Sequence, residues 1–108
     1  MRRRHGHTPK YSLKRVQELV EAGPDHYHIT ESARLGAQAI FLDEEDIVEC
    51  VCSLRYDAYE KTLASTKFPG TYQDVYKPRF YGWQIYLKVR LDGDEAAVVI
   101  SFKRDESA

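Results

Sequence analysis

Between Tyr72 and Val89 the chain reads YQDVYKPRFYGWQIYLKV. Four tyrosines, a tryptophan, two glutamines and three cations fall in that stretch, and Arg90 follows it. Cations suit phosphates and flat rings suit bases, so this mix is the chemistry of contact with single-stranded nucleic acid. From Trp83 onward the residue types alternate. Trp83, Ile85, Leu87, Val89 and Leu91 make one apolar face of a strand, and Gln84, Tyr86, Lys88 and Arg90 make a wet, basic one. The same alternation marks any half-buried strand whose polar face simply meets water.

Residues 61–104 contain no histidine, which argues against a nuclease built there on paired imidazoles. RNA cleavage does not need them. The ribose 2′-OH is an internal nucleophile already close to phosphorus. The protein has to remove one proton, neutralise the developing phosphorane charge and protonate the 5′-oxygen. Lysine, tyrosine and arginine can divide those roles if neighbouring cations lower a lysine pKa. His5, His7, His26 and His28 form two His-x-His pairs, but no cysteine or carboxylate stands at a supporting zinc spacing, and no cofactor fingerprint is present. Neither a metal nor a cofactor is expected.

The elements that must position such a face follow from local signals. The 108 residues suffice for one domain, with 1–10 and 105–108 expected to be loosely held. Ser12 reads as the cap of a helix over LKRVQELVEAG that Gly23 and Pro24 stop. HYHI suggests a stub of strand. Thr30 caps a short helix weakened by Gly36, and Asp43 opens DEEDIVECVCSL, whose acids favour a helix start although its Val and Cys also suit a strand. Tyr56, Tyr59 and Leu63 recur at helical spacing, which predicts a further helix over Arg55–Ser65. Strands are expected over 71–77, 83–91 and 96–103, with Pro78 an edge or bend and Asp92-Gly93 a hairpin turn. In the last strand, alternation sets Val98, Ile100 and Phe102 on one face and Val99, Ser101 and Lys103 on the other. Helices first and consecutive strands after give an α+β fold, an antiparallel sheet packed against N-terminal helices.

The net charge of -1 conceals a partition. Residues 1–17 carry six cations and no acid, residues 18–60 two cations and eleven acids, and residues 61–104 eight cations and four acids. A basic final third keeps a nucleic-acid partner open despite the neutral total. Cys50 and Cys52 read as free thiols, which suits a reducing cytoplasm, and no apolar run reaches membrane-spanning length.

The run TYQDVYKPRFYGWQIYLKV, the later VVISFK and the amino-terminal HTPKYSLKRVQELVEAG resemble the MqsR (motility quorum-sensing regulator) toxins. The family pattern runs WQDVYRPR, GQVYLK and IVSFK, with HT ahead of LxxVKxLVxAG. The resemblance covers nearly the whole chain and is tightest over Gln73–Lys103. Tyr72 replaces the family tryptophan, and the hairpin at 92–95 is longer.

The resemblance implies a RelE-like fold and a metal-independent endoribonuclease toxin of a type II toxin–antitoxin system, cutting single-stranded mRNA near GC dinucleotides. It implies a catalytic lysine at Lys61, on the helix before the sheet, with Gln73 and Tyr86 beside it. It implies RNA contacts from Lys77, Arg79, Lys88 and Lys103, and Tyr76 and Gln84 complete the expected RNA-binding set. The implied partner is a cognate antitoxin with zinc ligands and a helix-turn-helix, through which alone operator DNA is met. No membrane is involved. The alternative is a non-catalytic RNA-binding or co-repressor module on the same basic face, and the acidic block 43–49 and the Pro78 edge are expected docking surfaces for the antitoxin.

Overall fold

Ser12, Thr30 and Asp43 each begin a helix, as their side chains predict. In the computed structural model, which describes residues 8–107, α1 spans Leu13–Glu21, α2 Glu31–Gln38 and α3 Glu44–Cys52. Ser12 Oγ accepts from the Arg15 N–H at 3.1 Å. Asp43 and Asp46 form a reciprocal capping box, each carboxylate 3.0 Å from the other's backbone N–H. α1 buries Val16, Leu19 and Val20, and α3 buries Ile47, Cys50 and Val51, where their stripes meet. The Gln17 amide donates to the carbonyls of Val51 and Leu54 at 3.1 and 3.0 Å, satisfying the end of α3 from a neighbouring helix. The expected looseness of residues 1–7 and 108, and the His5–His7 pair, lie outside the described residues. None of the described helices is long and apolar enough to cross a membrane.

The strands are β1 (Tyr27–Ile29), β2 (Tyr59–Ala64), β3 (Tyr72–Tyr76), β4 (Arg79–Phe80), β5 (Trp83–Asp92) and β6 (Ala96–Arg104). They form a sheet in the order β1-β6-β5-β3-β2, with β4 on the start of β5. All pairings are antiparallel except β1 with β6. The fold is α+β. Pro78 is the bend that carries the chain from β3 into β4.

Three expectations are corrected. Residues 55–65 do not form a helix: a 3₁₀ turn over Tyr56–Ala58 leads into β2. Lys61 therefore arrives from an edge strand of the sheet rather than from a helix. The tyrosine spacing that suggested a helix reflects aromatic packing, with Tyr59 edge-on to Tyr76 at 5.6 Å and stacked on Tyr56 at 6.5 Å. The second correction concerns β6. Lys88 pairs Ser101, whereas Val89 pairs Val99, so Ile100 is an extra residue in the ladder. Val99 and Phe102 thus share the core face, and Val98 and Ile100 open onto the wet one. The third correction is Tyr76. It is fully buried on the helix-packed face and takes no part in the wet surface.

Gly36 is explained by position. A Cβ there would collide with the Phe102 carbonyl oxygen, so glycine alone lets α2 lie directly on β6. Thr30 fastens the same junction: its hydroxyl accepts from the Ala33 N–H at 3.1 Å and donates to the Ile100 carbonyl at 2.8 Å. Farther across the same face, on β3, buried Asp74 accepts from the backbone N–H groups of Lys10 and Tyr11, both at 2.9 Å, and from the Thr62 hydroxyl at 2.6 Å. These three donors satisfy the buried carboxyl group, and through them it fixes the chain ahead of α1 to β3.

Candidate active site

Cross-strand partners share a face, so the register orders the wet side of the sheet into rows. One row runs Lys61, Val75, Lys88 and Ser101. A second holds Tyr86 opposite Lys103, with Lys77 two residues beyond Val75, just past the end of β3. A third begins with Leu63 opposite Gln73 and ends with Arg90, Val98 and His28. Lys61 reaches this face because β2 shifts register at Glu60. Tyr59 pairs Tyr76 on the core side, yet Lys61, two residues on, pairs Val75 on the wet side. A regular strand would have put Tyr59 and Lys61 on one face.

Lys61, Lys77, Tyr86, Lys88, Ser101 and Lys103 line a cleft of about 340 Å³ together with the tail residues Asp105 to Ser107. Val75, between Lys61 and Lys88 in the row, is fully buried. The Lys103 ammonium lies 5.5 Å from the centre of the Tyr86 ring. Lys88 is half-buried; its burial, and then the charge of Lys103, hold its pKa below the ordinary lysine value. Lys77 is paired. Its ammonium lies 3.5 Å from the Asp105 carboxylate and 3.2 Å from the Ser107 hydroxyl. Asp105 accepts from that hydroxyl at 2.7 Å and from the Ser107 N–H at 3.1 Å. The Ser107 hydroxyl above all, then the Ser107 N–H and Lys77, keep its carboxyl below the usual aspartate range against the opposing effect of burial.

A family model described as "Motility quorum-sensing regulator, toxin of MqsA" matches residues 8–104, nearly all of the chain. The chain belongs to this family. The mRNA interferase toxin MqsR of Escherichia coli (strain K12) is 32% identical to it over 96 residues, covering 89% of this chain and 94% of that protein. Within this MqsR family member, Lys61 and Tyr86 line one cleft, whereas Gln73 lines the neighbouring, larger one. The three share a face but not a cavity.

The expected RNA contacts divide in the same way. Lys88 and Lys103 stand in the lysine cleft, and Lys77 stands there neutralised by Asp105. Gln84 spends its amide on the carbonyls of Lys77 and Pro78, at 2.8 and 3.3 Å, so it holds the bend. Arg79 of β4 pairs with Gln84 of β5 and lines a separate cleft with Arg55 and Asp57. Sequence reasoning did not find Asp105, Ser107 or Ser101 at this site. Only the register and the path of the tail bring them there. It named Lys88 as a phosphate contact without seeing that burial changes its acidity.

Proposed function

We propose that this protein is the toxin of a type II toxin–antitoxin pair, of the RelE-like group, and that its lysine cleft cleaves single-stranded mRNA without a metal, near GC dinucleotides. The observation that carries the reading is Lys61, Tyr86 and a lysine of lowered pKa converging on one cleft, in a chain whose curated relative is named an mRNA interferase toxin. The 2′-oxygen attacks phosphorus while its proton passes to a lysine amine. Lys88 is the better acceptor, because its surroundings favour the neutral form. Lys61, in the same row, and Lys103 supply positive charge to the phosphorane. The P–O5′ bond breaks as the Tyr86 phenol gives its proton to the departing oxygen. The products are a 2′,3′-cyclic phosphate and a 5′-OH, and the phenolate and ammonium then exchange a proton to reset the site. Gln73, one row away, positions the neighbouring nucleotide.

A cognate antitoxin, zinc-binding and with a helix-turn-helix, neutralises the protein in the cytoplasm and alone contacts operator DNA. The test is incubation of the purified protein with mRNA in excess EDTA, with the new ends analysed by mass spectrometry. Cyclic phosphate ends are the expected result. Loss of cutting that magnesium restores would overturn the mechanism.

A further inference from the structure

The larger cleft beside the lysine cluster contributes only Gln73 to the chemistry above. It measures about 700 Å³, within the ~300–1,000 Å³ of sites that enclose small ligands. Its floor differs from the rest of the wet face. The extra residue in β6 turns two aliphatic side chains, Val98 and Ile100, toward a surface that is elsewhere cationic. Phe68 stands at the rim, 63% exposed, on the connection between β2 and β3. That connection is closed by its own hydrogen bonds. The Phe68 N–H donates to Ser65 Oγ at 3.1 Å, the Thr71 hydroxyl to the Phe68 carbonyl at 2.7 Å, and the Ser65 N–H to the Thr71 carbonyl at 2.9 Å. A short, internally bonded loop thus holds a bare phenyl ring over an apolar floor. Arg90 and Asp92 add a cation and an acceptor to the lining, their charged atoms 4.0 Å apart. Gln73 lines this cleft and lies two residues along β3 from Val75, the cross-strand partner of Lys61 and Lys88, which is roughly 7 Å of strand.

We infer that this cleft is a nucleobase pocket: it seats one unpaired base of the RNA, next to the nucleotide being cut, with the base stacked on Phe68. A flat apolar body needs a ring and an aliphatic floor, and its polar edge needs the Asp92 carboxylate to accept from a ring N–H or amine. The adjoining phosphate is met by Arg90. The inference rests on the reading of the lysine cleft as RNA-cleaving for the identity of the strand. It adds where the cleavage position is chosen.

The test uses 2′-fluoro oligonucleotides of mixed sequence, which have no 2′-OH and cannot be cut, with a single abasic position moved along the chain. Binding is measured for the parent, Phe68→Ala and Phe68→Trp, each checked for folding by circular dichroism. Stacking on an aromatic side chain contributes enough for a change of roughly 10-fold in affinity. The expected result is one position at which removing the base weakens the parent roughly 10-fold, leaves Phe68→Ala unaffected and again weakens Phe68→Trp. Equal losses in parent and Phe68→Ala at every position would overturn the pocket. A parallel reaction with all-ribose RNA separates the two readings. If the parent fails to cut while the Phe68-dependent loss persists, RNA cleavage is wrong and the base pocket stands.

Discussion

Two clefts share one face of the sheet and are built by opposite means. The lysine cleft is crowded. Four lysines and a tyrosine converge there, and a carboxylate from the tail neutralises one of them. The neighbouring cleft is roomy, with an aliphatic floor, and Gln73 lines it. Burial, and then a neighbouring lysine charge, lowers the Lys88 pKa, which suits proton transfer; an open apolar floor with a ring at its rim suits selection. Each cleft owes its character to one extra residue in a strand, Glu60 for the first and Ile100 for the second.

The sharpest separation comes from Lys88→Arg and Tyr86→Phe. The second keeps shape and the first keeps charge, but each removes a proposed proton-transfer group. Single-turnover cleavage should fall about 10²–10⁴-fold, or ~3–5 kcal/mol in barrier, with substrate affinity nearly unchanged. Parent-like rates in both folded variants would move the chemistry out of the lysine cleft. The parent should also show a rate that climbs with pH, because the base acts only when neutral. That rise ends at a pH below the ordinary lysine pKa, since burial and Lys103 favour deprotonation. In Lys88→Arg the rising limb should disappear.

Gln73→Ala addresses the boundary. A hydrogen bond to a charged group is worth ~1.5–3 kcal/mol, so about 10–100-fold in kcat/KM is expected, shared between binding and rate. An effect confined to kcat would assign Gln73 to the lysine cleft after all.

Gly36→Ala should not discriminate between the clefts. β6 contributes Val98 and Ile100 to one and Ser101 and Lys103 to the other, and a methyl group at 36 pushes on the Phe102 backbone between them. Overpacking of this kind costs ~1–3 kcal/mol, which urea unfolding would register, and base selection and cutting should decline together.

The smallest effect concerns Asp105. Its folded pKa is depressed, so the stability it contributes is present above the unfolded aspartate value of about 3.9 and is lost as pH falls through the lower folded value. The stability difference between parent and Asp105→Asn should therefore be visible at neutral pH and close on acidification. A gap that stays constant to strongly acidic pH would mean that the carboxylate charge is not what holds the tail.

Much of this architecture could be read from local signals. The three helix caps announce themselves by residue type, and β5 alternates without interruption, so Tyr86 and Lys88 were correctly set opposite Ile85, Leu87 and Val89. Where a strand carries an extra residue, period-two reasoning loses phase. This is why Val98 and Ile100 were expected to share a face with Phe102, and nothing in VVIS marks Ile100 as the residue out of step. β2 misled for a related reason. Its aromatic spacing matches a helix, and only pairing with β3 decides otherwise, since a lone segment cannot state its partner. Lys61 was thus found by resemblance and its supporting element was not. Tyr76 fell among RNA contacts because residue type says nothing of which face it takes, and the ion pair of Lys77 with Asp105 joins residues far apart in the chain.

That ion pair changes what salt does to this protein. Affinity for a polyanion falls with salt because mobile cations condensed on the nucleic acid are set free when a protein charge replaces them. Lys77 does not meet RNA as a bare charge. It already carries an anion that is tied to it by the chain and cannot diffuse away. A phosphate arriving at Lys77 must displace Asp105, which stays nearby as a tethered competitor at high effective concentration. The slope of log affinity against log salt should therefore be shallower than a count of the lysines in the cleft suggests.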